Sequence, residues 1–112
     1  MSDLASRHCV ACEGGMPRLS PEGVTQLLTE VPGWALQGDG KAITRTFTFE
    51  NYWQTMAFVN AVAWIAHTED HHPELNVHWG KCVVKYWTHA VSGLTDNDFI
   101  CAAKIDGLLA RA

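Results

Sequence analysis

The spacing of apolar residues along the chain switches between a helical and a strand period, and the first regular segment has the helical one. Ser20-Pro21-Glu22 is typical of a helix start, because Ser caps the first turn and Pro is tolerated there. Pro32-Gly33 is expected to end this helix. The apolar residues of the segment fall on one side of a helix: Val24, Leu27, Leu28 and Val31.

Two strands are predicted next, because the period changes to simple alternation. They cover residues 34–36 and 43–49 and are joined through Gly38-Asp39-Gly40, in which Asp-Gly is a common hairpin signal. The second strand places its threonines on one face. The other face is predicted to carry Ile43, Arg45, Phe47 and Phe49.

A longer helix is predicted to follow, opened by the capping-box pattern Asn51-x-x-Gln54. Pro73 disfavours helical geometry at His72, so this helix should end before that residue. One side of the helix is predicted to hold Met56, Val59, Ala63 and Ala66. A neighbouring stripe holds Trp53, Asn60, Trp64 and His67.

A second hairpin and a last helix complete the pattern. The hairpin pairs residues 75–78 with 81–89 about Trp79-Gly80, and its second strand alternates Cys82, Val84, Tyr86 and Thr88 with the residues between them. Thr95-x-x-Asp98 is expected to start the helix.

The order α-β-β-α-β-β-α predicts an α+β two-layer sandwich, with a four-stranded antiparallel sheet and three helices on one face. Residues 18–112 are expected to form this single domain, and residues 1–17 a loosely ordered arm.

Composition and charge narrow the function classes. The 112 residues are 47% hydrophobic and 18% charged, which is typical of a globular domain. The net charge of −4, without a basic stripe, argues against direct nucleic-acid binding. The apolar run 57–66 is too short to span a bilayer, and the first residues do not resemble a secretory signal, so a cytoplasmic location is expected.

Four cysteines are expected to be free thiols in a reducing compartment. The pair Cys9-Val10-Ala11-Cys12 could be a redox motif or half of a zinc site. A structural zinc prefers four ligands, and a second C-x-x-C is missing from the sequence. The pair is therefore interpreted as part of a mobile, reduced tail.

Histidines supply the candidate chemistry. Three of the six fall within His67-Thr68-Glu69-Asp70-His71-His72, and His89 ends the last predicted strand. Because an imidazole titrates near pH ~6.5, one histidine can accept a proton while another donates one at neutral pH. A metal site and a merely polar helix end are alternative interpretations, and residue types alone leave all three open.

A wider pattern resembles a known family. The spacing His67-x3-His71-His72-Pro73-x5-Trp79-x9-His89-x8-Asp98 is similar to the signature of the pterin-4a-carbinolamine dehydratases. The segment Gly93-Leu94-Thr95-Asp96-Asn97-Asp98-Phe99 resembles the family's G-L-T-x-x-D sequence before its last helix. The resemblance extends from about Leu19 to Asp106.

The resemblance implies an enzyme with the fold predicted above. Its substrate would be the 4a-carbinolamine left when an aromatic amino acid hydroxylase uses tetrahydrobiopterin, and its product the quinonoid dihydropterin. The catalytic residues carried over are His71, His72 and His89. The supporting residues carried over are His67, Pro73, Trp79 and Asp98. The pterin is the substrate, so neither a cofactor nor a metal is expected.

The chain departs from the family pattern at two positions, and the family leaves other roles open. His67 replaces an acidic residue of many members, and Leu75 replaces a Trp. A dimer or tetramer is expected, with the strand 81–89 as its interface only if it lies at a sheet edge. The alternative functions are a protein-binding dimerisation cofactor or transcriptional coactivator, and a role in molybdopterin metabolism.

Overall fold

The computed structural model describes residues 3–10 and 17–109. The order of its helices and strands is the predicted α-β-β-α-β-β-α. Short 3₁₀ turns at Leu4–Ser6 and His89–Val91 are additional. The helices are α1 (Pro21–Leu28), α2 (Tyr52–Glu69) and α3 (Asp96–Leu109). The strands are β1 (Ala35–Gln37), β2 (Ala42–Thr48), β3 (Glu74–Val77) and β4 (Lys81–Tyr86).

Local capping residues start the first two helices where the sequence predicts. The Ser20 hydroxyl accepts from the backbone N–H of Gly23, at 3.1 Å. Asn51 caps α2 by accepting from the N–H of Gln54, at 2.8 Å, while the Gln54 side chain accepts from the N–H of Glu50. Both caps satisfy backbone donors that a helix N-terminus leaves unpaired. Helix α1 ends at Leu28, earlier than the predicted stop at Pro32-Gly33.

The four strands form one antiparallel sheet in the order β1-β2-β4-β3. Gly38 and Gly40 turn the first hairpin with φ angles of 57° and 84°, a region that glycine enters without strain. The second hairpin turns through Trp79-Gly80, and the N–H of His78 donates to the carbonyl of Lys81. Strands β1 and β3 are therefore the edges. Strand β4 lies in the middle of the sheet. It was predicted to form a subunit interface only if it lay at an edge, so it is not a candidate for that interface.

One face of the sheet carries the core, which confirms the predicted α+β sandwich. Cys82, Val84 and Tyr86 are buried on β4, and Ile43 and Phe47 face them from β2. The helices cover this face and contribute buried residues to the same core: Val24 from α1, Phe58 and Val62 from α2, and Phe99 and Ile105 from α3. The alternation predicted for β4 continues to Thr88, which is also buried.

The buried side of α2 differs from the prediction. It consists of Thr55, Phe58, Val62 and Ala66. Ala63, predicted to be on that side, is exposed. Thr55 can be buried because its hydroxyl has hydrogen-bond partners. The hydroxyl lies 2.9 Å from the carbonyl oxygens of both Asn51 and Trp79. The buried side was hard to identify from the sequence because α2 carries apolar residues on several sides. Two of them, Trp53 and Trp64, lie mostly in solvent.

The N-terminal segment 3–10 packs on the domain, so the prediction of a loosely ordered arm over residues 1–17 is wrong for this part. Leu4 is only 1% exposed and joins the core. Lys104 of α3 donates to the carbonyl of Ala5 at 2.8 Å, and the N–H of Cys9 donates to Glu69 at 2.7 Å. Contacts with residues about 60 to 100 positions away hold the segment, and local patterns do not predict them. Cys12 lies outside the described residues.

In the described ranges 3–10 and 17–109, none of the helices is long and apolar enough to cross a membrane.

Candidate active site

Two adjacent histidines after α2, His71 and His72, point in different directions. Asp70 adopts the left-handed conformation, with φ 52°, which Asp tolerates better than most residues. The N–H of His71 then donates to the carbonyl of Ala66 at 3.1 Å, which closes the helix end. His71 enters the interior and is 8% exposed, whereas His72 is exposed. Pro73 follows half-buried and leads into β3.

His71 is held by a buried carboxylate. Its Nε2 lies 2.6 Å from Oδ1 of Asp98, which is fully buried in the first turn of α3. The other Asp98 oxygen accepts from the Thr88 hydroxyl at 2.8 Å and from the Thr95 N–H at 2.9 Å. A carboxylate with these donors accepts the Nε2 hydrogen, which leaves Nδ1 of His71 as the nitrogen available for chemistry.

The same pair changes the protonation of His71. Burial acts to lower the pKa of His71, but the hydrogen bond and the negative charge of Asp98 outweigh burial and raise that pKa above the ordinary histidine value. Tyr86 stacks on the imidazole with 5.2 Å between ring centroids and donates its hydroxyl to the carbonyl of His71 at 3.0 Å. His71 is therefore both fixed in orientation and biased towards its charged form.

His89 reaches the site from the turn that follows β4. Thr88 and Gly93 close this turn, because the N–H of Thr88 donates to the carbonyl of Gly93 at 2.8 Å. The exposed His89 ring stacks on Trp87, with centroids 4.2 Å apart and planes 12° apart. The stacked indole of Trp87 therefore orients the His89 ring.

The three histidines meet at one cleft of about 750 Å³, a volume suited to a small organic ligand. His71, His72 and His89 all line it. The other lining residues come from the end of α2, the turn after β4 and the N-terminal segment: Cys9, Val10, Thr68, Glu69, Asp70, Trp87, Thr88 and Ala90. Two imidazoles that are open to solvent and one that is buried beside a carboxylate thus face a common space.

None of the four predicted supporting residues lines this cleft, and two of them are exposed elsewhere on the surface. His67 is exposed on α2 with its ring 6.5 Å from that of Trp64. Trp79 is 67% exposed in the turn between β3 and β4. Leu75, noted as a departure from the family pattern, is half-buried against the core. Asp98 is the supporting residue that the structure brings into direct contact with a cleft histidine.

Several residues that hold the site were not singled out from the sequence. Tyr86 and Thr88 were predicted to share one face of the last strand, but their contacts with His71 and Asp98 join positions on other elements. Thr95 was predicted to form a capping box with Asp98. Its N–H does donate to the Asp98 carboxylate, but its hydroxyl pairs with that of Thr88 at 2.8 Å. Asp98 therefore both starts α3 and orients His71.

Metal ligation was an alternative interpretation of the histidine cluster. Among residues 3–10 and 17–109, His, Cys, Asp and Glu side chains do not form a group of three or more placed to hold a metal ion. The expectation that activity needs no metal stays a prediction.

Comparisons with known proteins agree with the fold. The sequence profile of the family described as pterin 4 alpha carbinolamine dehydratase matches residues 17–108. A protein of Nitrosospira multiformis, provisionally named pterin-4-alpha-carbinolamine dehydratase, is 58% identical over 108 residues, which are 96% of this chain and 94% of the relative.

Two solved structures are similar as well. A transcriptional coactivator/pterin dehydratase from Brucella melitensis is 31% identical with a TM-score of 0.77, over 82% of this chain and 98% of that one. A pterin dehydratase-like protein identified as a RuBisCO assembly factor of the alpha-carboxysome is 25% identical with a TM-score of 0.62, over 71% and 93%. The profile match, the relatives and the shared fold place this chain in the pterin-4a-carbinolamine dehydratase family.

Proposed function

We propose that the protein is a dehydratase that converts 4a-hydroxytetrahydrobiopterin to quinonoid dihydropterin and water. The observation that carries the proposal is the meeting of His71, His72 and His89 at one cleft, with Asp98 behind His71. Family membership supports the same reaction. The rate at which the purified chain dehydrates the synthetic carbinolamine tests it.

The reaction requires two proton movements. The C4a–OH bond breaks, N5 loses its hydrogen, and the C4a–N5 bond becomes double. The leaving hydroxyl therefore needs an acid, and N5 needs a base. His71 suits the acid role, because Asp98 raises its pKa and keeps its Nε2 occupied, so that Nδ1 can donate. The exposed imidazoles of His72 and His89 are the candidates for the base and for binding the hydroxyl.

Protons that move between imidazoles and substrate need neither a metal nor a prosthetic group. Dialysis against a chelator is therefore expected to leave the dehydration rate unchanged. Activity that disappeared on chelation and returned with zinc would make the histidine cluster a metal site instead.

The biological role we propose is recycling of tetrahydrobiopterin in the cytoplasm after aromatic amino acid hydroxylation. A gene for this chain should support growth of cells that depend on phenylalanine hydroxylation, and a His72→Ala variant should not. His78→Ala is the matched control, since His78 is an exposed histidine of the turn after β3. Full rescue by a variant that is inactive in vitro would favour a protein-binding role instead.

Self-association is the partner interaction that the surface favours. Strands β1 and β3 leave the two edges of the sheet open within the described chain, and open edges are usually paired or covered. The side chains of Trp53 and Trp64 are 86% and 71% exposed on α2, an unusual position for indoles of a monomer. We therefore expect at least a dimer with closed symmetry. Light scattering that gave the monomer mass at micromolar concentration would contradict this.

A further inference from the structure

Two cysteines distant in sequence meet beside the cleft. The sulfur of Cys9, in the N-terminal segment, lies 3.5 Å from the sulfur of Cys101 in α3. Cys101 is fully buried, and Cys9 is half-buried and lines the cleft. The two thiols are therefore in van der Waals contact, and one of them borders the space that holds the histidines.

Several hydrogen bonds hold Cys9 beside Cys101. The backbone N–H of Cys9 donates to the buried Glu69 carboxylate at 2.7 Å. The next residue, Val10, exchanges two hydrogen bonds with the Asn97 side chain, at 3.1 and 2.7 Å. Asn97 lies one helical turn before Cys101, so contacts on both sides of Cys9 fix the position of its side chain.

We propose that Cys9 and Cys101 form a reversible disulfide, an oxidation site that fastens the N-terminal segment to α3 beside the histidine cleft. The sulfurs have to approach from 3.5 Å to a bond length of about 2.0 Å, which side-chain rotation and a small shift of the segment can supply. In a reducing compartment such a bond is transient and forms under oxidative conditions.

The surroundings favour a thiolate at Cys101 and a neutral thiol at Cys9, because the hydrogen bond with Cys101 and burial raise the pKa of Cys9. The thiol of Cys9 lowers the pKa of Cys101 against the opposing effect of burial, and the Tyr86 hydroxyl lowers it further. With hydrogen peroxide as the oxidant, the thiolate attacks an oxygen and the O–O bond breaks. The hydroxide that leaves takes up the proton that the thiol had lost, so a sulfenic acid and one water result. The second thiol then attacks the sulfenic sulfur and forms the S–S bond, and its proton joins the departing hydroxide to give the second water.

The disulfide would fix one wall of the cleft. Cys9 and Val10 border the same space as His71, so the cross-link prevents this wall from moving away. It also closes a loop of about 90 residues, and constraining the unfolded chain in this way should raise the Tm by about 10 °C. These consequences do not depend on the proposed dehydratase activity.

Mass spectrometry of the full chain tests the proposal. The reduced protein is treated with hydrogen peroxide, free thiols are blocked with N-ethylmaleimide, and the peptides are mapped. We expect a loss of two hydrogen atoms, a peptide joining Cys9 to Cys101, a raised Tm and full reversal by dithiothreitol. Cys9→Ser should abolish the cross-link, and Cys82→Ser and Cys12→Ser are matched controls that should retain it.

Three outcomes would overturn the proposal. The first is a map that joins Cys9 to Cys12 in the wild-type chain. The second is oxidation of Cys9 or Cys101 to sulfinic acid without a cross-link. The third is the same mass loss and Tm increase in Cys9→Ser. Because Cys9 is half-buried, its serine variant should fold even if a change at the buried Cys101 does not.

Discussion

His71 Nε2 and Asp98 Oδ1 lie 2.6 Å apart and join the end of α2 to the first turn of α3 across 27 positions of sequence. Asp98 has a structural role as well, because its carboxylate also accepts hydrogen bonds from Thr88 and Thr95. A fully buried charge is stable only with such partners. The geometry of the imidazole is thus set by the same residues that start α3.

Asp98→Asn should slow dehydration and shift its pH dependence. Without the negative charge, the pKa of His71 falls, so the protonated form that serves as the acid is lost at lower pH. We expect a loss on the order of 10²-fold in kcat, and a high-pH limb of the rate profile displaced towards acid.

Asp96→Asn is the matched control for this change, since Asp96 is a half-exposed acid of the same helical turn that pairs with Arg7. Its pH profile should be that of the wild type. An unmoved high-pH limb in Asp98→Asn would mean that Asp98 has only a structural role.

Removing the exposed imidazoles should reduce the rate without unfolding the protein. His72→Ala and His89→Ala are expected to slow dehydration roughly 10- to 10⁴-fold. Both residues are exposed, so the free energy of unfolding should change by less than about 0.5 kcal/mol. His78→Ala should change neither quantity, and urea titrations with steady-state kinetics measure both. Wild-type kinetics in both cleft variants would refute the assignment.

His71→Ala should behave differently, because His71 is buried. The structure shows that the change removes the partner of a fully buried carboxylate and the ring stacked on Tyr86. Breaking a buried pair of this kind costs about 3 kcal/mol. A denaturant midpoint equal to that of the wild type would contradict this.

Trp87 is expected to matter for rate through its contact with His89. Trp87→Leu removes the stacked indole face and should lower kcat/KM about 2- to 5-fold, whereas Trp87→Phe keeps an aromatic face and should retain most of the activity. Trp64→Leu is the control on the exposed side of α2. Equal activity of the Leu and Phe variants would show that stacking does not position His89.

Stability should depend on pH at both ends of the neutral range. The pKa of His71 is raised in the folded state, so its contribution is complete below its unfolded value of about 6.5 and is lost as pH rises through the folded value. Burial acts to raise the pKa of Glu69, but hydrogen bonds from Cys9 and His8 and the charge of Lys104 lower it overall. Its contribution is therefore present above pH ~4.3 and lost as pH falls through the lower folded value.

Glu69→Gln should consequently flatten the acid side of the stability curve and leave the alkaline side unchanged. Glu22→Gln, at an exposed position of α1, is the control. Free energies of unfolding from urea titrations between acid and mildly alkaline pH give both limbs. If stability falls as steeply at acid pH in Glu69→Gln as in the wild type, other carboxylates cause the loss.

Local signals predicted most of the fold, and long-range contacts account for what was missed. Ser20 and Asn51 cap helices through neighbours three positions away, so the sequence reveals them directly. The burial of Leu4 depends on α3, nearly a hundred positions away, which no local pattern records. Likewise, Thr55 is buried because distant Trp79 offers its carbonyl.

The candidate site divides in the same way. His71, His72 and His89 were predicted from their spacing and the family resemblance, and they line one cleft. Trp79 was carried over by the same resemblance but lies in an exposed turn. Resemblance transfers the identity of a residue, whereas its place in a site follows from packing, as with Trp87 against His89.

The rate at which the purified chain converts synthetic 4a-hydroxytetrahydropterin to quinonoid dihydropterin, measured against the uncatalysed reaction, tests the central claim most directly. The account predicts a clear acceleration by the wild-type chain. In a His72→Ala/His89→Ala double variant that remains folded, the acceleration should be reduced to the residual contribution of His71. A wild-type rate equal to the uncatalysed one, or full activity in the double variant, would contradict it.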